Sequence, residues 1–327
     1  MAEKLDVLDK KLIVELDKNA RQSLSQLAKK LRTSQQVVSY RLNKLVESKV
    51  IKTFMTALST RSLGLPLIVK MYVQLTGVDV SKEKEIFAYL LEHSDVNWVC
   101  KTLGDFDLFT AVMVKDIDSF GEFKQDLFQK FGKHINNYEV SFLNKAYTFP
   151  RSYLIGEKEE SIKPRLIHEG LSEKINEKDK KIISLIVNNA RINIIDLAKK
   201  AELNVKTAIS RLRNLEKTGA IQGYRINVNR KNMDWKYYKV FIKLHSFDQN
   251  SYNKLLNYLL SQKYVLHLIE CIGKYELELE MEMPNSETLQ DLVKDIRNNY
   301  ADTVQIVLVT EILEELKLTW LPNRFAN

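Results

Sequence analysis

Apolar residues recur with a helical period near the start of the chain. In residues 34–48, Val38, Leu42 and Leu45 stand at i, i+4 and i+7 and predict one buried helical stripe. Ser34 precedes them and can cap the helix, because its hydroxyl can accept a free backbone N–H. Two shorter amphipathic helices are predicted at residues 8–18 and 23–31. Short helices joined by a tight turn, the last with a polar outer face, are typical of a helix-turn-helix.

The hydrophobic period then changes. A short strand is predicted at residues 51–58, followed by strands and helices in the order β-α-β-β-α-β, which is the ferredoxin-like arrangement. The predicted strands are residues 67–75, 96–103, 106–114 and 140–146, and the predicted helices are residues 82–93 and 119–131.

The whole pattern is then repeated in the second half of the chain. Residues 9–51 align with residues 179–221 at an offset of 170, and 15 of these 43 positions are identical, so the chain is a tandem duplication. After one deleted residue the register continues at an offset of 169. The predicted fold class is α+β, with two winged-type helix-turn-helix domains alternating with two ferredoxin-like βαββαβ domains. The predicted bounds are 1–60 and 175–230 for the helix-turn-helix domains, 61–155 and 231–327 for the ferredoxin-like domains, and 156–174 for a linker.

Charge divides along the same boundaries. Residues 1–62 hold 13 Lys and Arg against 6 Asp and Glu, and residues 175–232 hold 13 against 5, whereas the rest of the chain holds 24 against 31. Two compact basic regions favour contact with a polyanion at two places. Two cysteines make neither a disulfide framework nor a zinc site, and no apolar run approaches the length of a membrane span, so a cytoplasmic protein is predicted.

The outer faces of the two third helices carry side chains that can contact DNA. The candidates for base edges are Gln35, Gln36, Ser39, Lys206, Thr207 and Ser210, and those for phosphate are Arg41, Lys44, Arg211 and Arg213. Ser34, Tyr40 and Asn204 complete the predicted surface. Arg41 and Arg211 have an alternative, since either side chain can instead form a salt bridge inside its own domain.

These features resemble the Lrp/AsnC family of prokaryotic transcription regulators. The resemblance is carried by an aspartate in the first helix, an Asn-Ala-Arg triplet, a Leu-Ala pair and an Arg-Leu pair. In the first copy these are Asp9, Asn19-Ala20-Arg21, Leu27-Ala28 and Arg41-Leu42, and in the second Asp179, Asn189-Ala190-Arg191, Leu197-Ala198 and Arg211-Leu212. The resemblance implies binding of double-stranded DNA, a ferredoxin-like (RAM) effector and assembly domain, and a homo-oligomer. Because one chain carries both units, an internal pseudo-dimer with two different recognition helices is predicted.

The resemblance also implies an amino-acid-like effector near the hairpins of the ferredoxin-like domains. The candidate residues there are Gly104, Asp105, Asp107, Gly273 and Glu276. Both glycines have a structural alternative, since a tight hairpin needs positive φ at one position.

Two other functions are compatible with this architecture. Siroheme decarboxylases resemble the family in both domains and can occur as fused tandems, and an architectural chromatin protein would bind DNA with little sequence preference. An enzyme of the first kind needs His and Arg in the ferredoxin-like domains, which here are Arg-poor, with histidines at non-equivalent positions. The sequence therefore predicts a transcription regulator with no catalytic residue, no metal and no cofactor.

Overall fold

The computed structural model describes residues 4–156, 165–166, 175–245 and 248–323. The predicted linker, residues 156–174, lies outside the described residues except at positions 156 and 165–166. The helices are α1 (Val7–Lys18), α2 (Leu24–Leu31), α3 (Gln35–Glu47), α4 (Val80–Glu92), α5 (Ile117–Phe131), α6 (Glu177–Ile186), α7 (Ile194–Lys200), α8 (Val205–Lys217), α9 (Gln249–Leu260) and α10 (Ser286–Asn299). The strands are β1 (Ile51–Leu58), β2 (Leu67–Leu75), β3 (Val96–Leu103), β4 (Leu108–Val114), β5 (Ile135–Thr148), β6 (Arg165–Leu166), β7 (Ile221–Val228), β8 (Lys236–Leu244), β9 (Val265–Gly273), β10 (Leu277–Met283) and β11 (Val304–Leu318).

The fold is α+β, as predicted, with two winged-type helix-turn-helix domains alternating with two ferredoxin-like domains. Equivalent elements keep the offsets of the sequence repeat: β2 and β8 differ by 169 residues at both ends, as do β4 and β10. The last strand of the first copy, predicted at residues 140–146, is longer in the structure, with 14 residues in β5, and its equivalent β11 has 15.

The described residues group into two compact units. One contains the residues up to Ser59 together with those from Thr148 to Lys236, and we call it the head unit because it holds both helix-turn-helix domains. The other contains residues from Thr60 to Tyr147 and from Tyr237 onward, and we call it the barrel unit. Each unit therefore combines the matching domains of the two copies rather than one whole copy.

In the head unit, β1 and β7 form a two-stranded antiparallel sheet. Their register runs from Ile51 opposite Val228 to Leu58 opposite Ile221, so each copy contributes one strand. The strand between the helix-turn-helix and the ferredoxin-like domain in one copy is therefore paired with the equivalent strand of the other copy.

In the barrel unit, eight strands are hydrogen-bonded in the order β2-β4-β3-β11-β8-β10-β9-β5, and β5 also pairs with β2, which closes the ring. Each copy supplies one four-stranded sheet, and the copies join at two seams, β3–β11 and β9–β5. Closure leaves no free edge among these eight strands, and therefore no unpaired edge as a template for aggregation.

Side chains on the two faces of the ring form separate clusters. In the first copy, Val69, Met71 and Val73 of β2 face outward and pack with apolar residues of α4 and α5. The inner face holds an aromatic-rich cluster from both copies, including Tyr72, Phe109 and Phe241. Buried charged residues join this inner face, and their arrangement is described below.

Candidate nucleic-acid interface

We call each helix-turn-helix domain a head. The third helix of each head, α3 or α8, begins at a side-chain cap. The Ser34 hydroxyl accepts the backbone N–H of Val37 at 3.2 Å, and the Asn204 side-chain oxygen accepts that of Thr207 at 2.8 Å. Each cap satisfies one of the free N–H groups of the first turn. Because both side chains serve as caps, the Ser34 hydroxyl would share its oxygen between the cap and DNA, whereas the Asn204 amide NH2 can donate to DNA while its oxygen caps the helix.

The buried stripe of each third helix is the one that the sequence predicted. In α3, Val38, Leu42 and Leu45 are buried, and in α8 the equivalent residues Ala208, Leu212 and Leu215 are buried. This stripe fixes the opposite face of each helix toward solvent. That face carries the predicted base-contacting side chains.

Most of the predicted base-contacting and phosphate-contacting residues are exposed. The exposed ones are Gln35, Gln36, Tyr40, Lys44, Lys206, Ser210 and Arg213, while Ser39 and Thr207 are half-buried. Tyr40 is 70% exposed, which is unusual for an aromatic side chain that could pack on a protein core. Neither helix is turned into the protein, so both polar faces are free to meet a groove.

Arg41 and Arg211 differ from the others, because each forms the intradomain salt bridge that the sequence left open. Arg41 Nη1 lies 2.7 Å from a carboxylate oxygen of Asp6 and 2.7 Å from one of Asp9, and hydrogen bonds to these two groups raise the pKa of Arg41. Arg211 Nη1 lies 3.0 Å from Asp179. The two arginines therefore hold the third helix against the first helix of the same head.

The Asn-Ala-Arg triplet, used above as a family mark, joins the two heads. Arg21 Nη1 donates to the carbonyl oxygens of Ala190 at 2.5 Å and Ile192 at 3.4 Å. Reciprocally, Arg191 Nη1 donates to the carbonyls of Ala20 at 2.6 Å and Gln22 at 2.9 Å. Burial, together with the nearby charge of Arg21, lowers the pKa of Arg191. Sequence reasoning missed this role, although identity of the triplet in both copies was the available signal.

The backbone contacts around this junction are reciprocal as well. Ala20 N–H donates to the carbonyl of Tyr224 at 3.1 Å, and Ala190 N–H donates to that of Phe54 at 2.8 Å. The guanidinium of each triplet lies over an aromatic ring of the other copy's strand. Arg21 lies over Tyr224 and Arg191 over Phe54, and these two aromatic residues are equivalent. Since each of these contacts has its equivalent, the two helix-turn-helix domains are related by a pseudo-two-fold axis within one chain, as predicted for an internal pseudo-dimer.

One buried ion cluster breaks this symmetry. Asp17 of α1 is fully buried and accepts from Arg225 Nη2 at 2.7 Å and Nε at 3.1 Å, while Arg151 Nη1 lies 3.0 Å away. At the equivalent positions the chain has Val187 and Met55, both buried and apolar. The same junction is therefore ionic on one side and apolar on the other.

In the barrel unit, the predicted effector residues are mostly engaged in structure. Asp107 accepts the N–H of Leu75 at 2.7 Å, and Glu276 accepts that of Leu244 at 2.8 Å, so both acids hold the end of the neighbouring strand. Asp105 is exposed. An open pocket beside the first hairpin is lined by Asp107 and by residues 75–80 and 83.

The two hairpin glycines serve different purposes. Gly104 has φ +141°, in the region that favours glycine, as predicted. Gly273 does not have positive φ, so that expectation is wrong for the second copy. A Cβ at position 273 would lie 2.7 Å from the carbonyl oxygen of Val140, so glycine is required there by the close approach of β5 at the seam.

Among the described residues, the structure shows no helix able to cross a membrane and no cluster of three His, Cys, Asp or Glu side chains placed to hold a metal ion. Both cysteines are buried, and burial, together with the nearby Glu278, raises the pKa of Cys271 to about 12. A thiol of that kind is a poor nucleophile at neutral pH.

Comparison with known proteins identifies the heads. The model of the winged helix-turn-helix DNA-binding family matches residues 5–52 and 175–222. The chain is 29% identical over 119 residues to the HTH-type transcriptional regulator Ptr1 of Methanocaldococcus jannaschii, covering 36% of this chain and 78% of the relative. It is 26% identical over 119 residues to the HTH-type transcriptional regulator FL11 of Pyrococcus furiosus, covering 36% of this chain and 77% of the relative.

A solved structure matches nearly the whole chain in fold. The siroheme decarboxylase NirDL superposes with a TM-score of 0.63 over 97% of this chain and 94% of its own, at 14% sequence identity. At that identity the match shows the tandem fold and nothing of the chemistry. The chain therefore carries a winged helix-turn-helix DNA-binding domain twice, and with the family marks in both copies it is similar to Lrp/AsnC-like transcription regulators.

Proposed function

We propose that the chain is a sequence-specific transcription regulator whose two heads read two different half-sites in the major groove. The observation that carries this proposal is that both third helices expose a polar face while a pseudo-two-fold junction holds the two heads together in one unit. Two basic heads supply the phosphate attraction, since each carries an excess of Lys and Arg.

The pseudo-two-fold axis supports an inverted arrangement of the half-sites. In helix-turn-helix dimers, protein two-fold symmetry is mirrored by the symmetry of the operator. The half-sites differ in sequence, because Gln35, Gln36 and Tyr40 in one helix are replaced by Val205, Lys206 and Ser210 in the other. Gln pairs bidentately with adenine, whereas Lys contacts guanine, so the two heads favour different bases.

Selection from a random duplex library with the full chain tests this proposal directly. The expected result is an imperfect inverted repeat with two non-identical halves. Recovery of no preferred sequence would support the architectural chromatin alternative, and recovery of a symmetric palindrome per chain would refute the assignment of different half-sites.

Salt dependence separates phosphate contacts from structural arginines. Arg213→Ala and Lys44→Ala should each reduce the slope of log affinity against log salt by about 0.9, since each removes one phosphate contact. Arg211→Ala serves as the matched control, because its guanidinium is bound to Asp179. It should lower stability with little change in slope.

Tyr40 provides a test of base reading in the first head. We propose that its exposed ring packs on a thymine methyl group in the first half-site. Replacing that thymine by deoxyuridine, which removes only the methyl, should weaken wild-type binding several-fold. Tyr40→Ser, the residue of the second copy, should bind both duplexes equally, and equal sensitivity of wild type and variant would contradict the contact.

An amino-acid-like effector and assembly into homo-oligomers are further parts of the proposal. Asp105 and Asp107 are exposed acids at the first hairpin, and Asp107 lines the open pocket, so these two carboxylates are the candidates for an ammonium group. Leu103 and Ile272, at equivalent positions before the hairpin glycines, are 61% and 65% exposed, which supports burial against a second chain. A thermal-shift screen of amino acids tests the first part, and light scattering showing a strict monomer would refute the second.

The fold match to a siroheme decarboxylase calls for an experiment that compares tetrapyrrole binding with DNA binding. Absorbance titration with siroheme should show no saturable binding by the purified chain, whereas promoter DNA should shift in a gel. Tight tetrapyrrole binding without DNA binding would overturn the proposed function in favour of an enzyme.

A further inference from the structure

A network of buried charges lies on the inner face of the barrel unit. Glu278 of β10 is fully buried and accepts from Lys70 Nζ at 2.7 Å and Lys239 Nζ at 2.7 Å. The hydroxyls of Tyr72 and Ser141 donate to its other oxygen at 2.5 and 2.8 Å. Every strong acceptor site of this carboxylate is therefore occupied, which a buried charge requires.

A second carboxylate extends the network within the second copy. Glu280 accepts from Lys239 Nζ at 2.8 Å and from the Tyr237 hydroxyl at 2.7 Å. Burial acts to lower the pKa of Lys239, but the two carboxylates outweigh it and raise that pKa, so the lysine stays charged. Lys70 and Lys239 pair with these two carboxylates, and Glu282, a third acid on the same face of β10, is buried as well.

The two copies contribute unequally to this network. At the offset of 169, Lys70 is equivalent to Lys239, so each copy supplies one lysine. Glu278 is equivalent to Phe109, however, so the first copy has no acid at that position. Glu280 is likewise equivalent to Ala111. Of the ion pairs described here, the one between Lys70 and Glu278 crosses from one copy to the other, as do the hydrogen bonds from the hydroxyls of Tyr72 and Ser141.

Two four-stranded sheets could form a ring in three ways: first copy with first, second with second, or first with second. Because of the asymmetry, the buried charges differ between these three pairings. A first-copy sheet paired with another first-copy sheet would bury two lysines against Phe109 and Ala111, with no counter-charge. A second-copy sheet paired with its like would bury four carboxylates of Glu278 and Glu280 against two ammonium groups. Of the three pairings, only the mixed one gives Lys70 an acid without doubling the buried acids of the second copy, and an uncompensated buried charge is costly.

We propose that the Lys70–Glu278 pair makes the ferredoxin-like sheet of the first copy accept the sheet of the second copy as its partner and reject a copy of itself. A buried ion pair adds little stability compared with apolar residues of the same size, so its value here is choice of partner. The choice is assigned to Lys70, because this lysine meets an acid in the mixed pairing and none in a ring of first-copy sheets.

Paired cysteines placed at the seams can report which sheets meet. Lys101 on β3 lies opposite Glu314 on β11. The residue of the first copy equivalent to Glu314 is Lys145, whose Nζ lies 3.9 Å from Glu270 at the other seam. In the full chain with Cys100 and Cys271 replaced by Ala, Lys101→Cys with Glu314→Cys reports mixed pairing.

Lys101→Cys with Lys145→Cys reports pairing of first-copy sheets from two chains. Within one chain these positions lie on strands three spacings apart, about 14 Å, too far for a disulfide. An interchain disulfide between them therefore forms only when like sheets pair.

Refolding from urea at about 100 μM makes the test quantitative. Linked copies meet at an effective concentration of about 1 mM, so unselective pairing would give like-with-like disulfides in about a tenth of the chains. The wild-type network should hold this fraction at least tenfold lower. Lys70→Met with Glu278→Gln removes the lysine that lacks an acid in a ring of first-copy sheets, and it should raise the fraction to about a tenth.

The matched control is Lys239→Met with Glu280→Gln, which removes a pair lying within the second copy. Since Lys70 then still lacks an acid in a ring of first-copy sheets, the like-with-like fraction should stay at the wild-type level. If the Lys70 and Glu278 double variant fails to form the Lys101–Glu314 reporter disulfide, the wild-type fraction alone decides. A wild-type fraction near one tenth, or a folded double variant indistinguishable from wild type, would overturn the proposal.

Discussion

Replacing the buried Asp17 should cause a large loss of stability, and a second substitution should restore part of it. Asp17→Val introduces the residue that the second copy has at this position, but leaves Arg225 and Arg151 without their carboxylate. Removing one partner of a buried ion pair costs about 3–5 kcal/mol. The free energy of unfolding should fall by that amount.

The second copy of the junction has apolar residues in place of this ion pair, and they define a matched double variant. Arg225→Met introduces the residue found at the equivalent position, Met55, so Asp17→Val with Arg225→Met copies the arrangement at Val187. Arg151 still lacks the Asp17 carboxylate, which accepts from its side chain and its backbone N–H in the wild type, and this loss costs about 1–3 kcal/mol. The double variant should therefore be about 2 kcal/mol more stable than Asp17→Val alone.

Urea denaturation followed by far-UV circular dichroism measures both variants. With a slope of about 3 kcal/mol/M, a loss of about 4 kcal/mol lowers the midpoint of the affected transition by more than about 1 M. The reasoning is refuted if Asp17→Val costs less than about 1 kcal/mol, or if the added Arg225→Met brings no recovery at unchanged slope.

Three further predictions follow from other positions. Lys49 has φ +56° where the second copy has Gly219 at φ +77°, so Lys49→Gly should stabilise the first head by up to about 1 kcal/mol and Gly219→Lys should destabilise the second by 1–2 kcal/mol in thermal unfolding; no difference between them would contradict the argument. Gly273→Ala should lower the melting temperature of the barrel unit by several degrees, since its Cβ would meet a backbone oxygen. The pKa of Glu278 is lowered despite burial, through Lys239 and Lys70, so its stabilisation should be complete above pH 4.5 and lost as pH falls below this. The raised pKa of Lys239 adds stability that is lost only above pH 10.5, and a pH series of unfolding midpoints flat on both sides would exclude both effects.

The contacts of Arg41 show why site residues were harder to predict than elements. The sequence placed Arg41 correctly on the polar side of α3, because helical periodicity is local. Whether its guanidinium meets phosphate or a carboxylate depends on the distance between α3 and the start of α1. That distance, which brings Asp6 and Asp9 to 2.7 Å, is set by packing of the three helices.

The sequence by itself determined the duplication, the helix-turn-helix and ferredoxin-like elements and the caps of the third helices, since repeats, hydrophobic period and capping residues are all local properties. Tertiary structure decided which face of a strand is inside. In β10, Leu277, Leu279, Met281 and Met283 alternate with three glutamates, a pattern typical of a strand with one face in water. All seven residues are buried, because the eight strands close into a ring and both faces of the sheet are then covered. The lysines that neutralise Glu278 and Glu280 come from β2 and β8, and one of them belongs to the other copy, so no local pattern could have paired them.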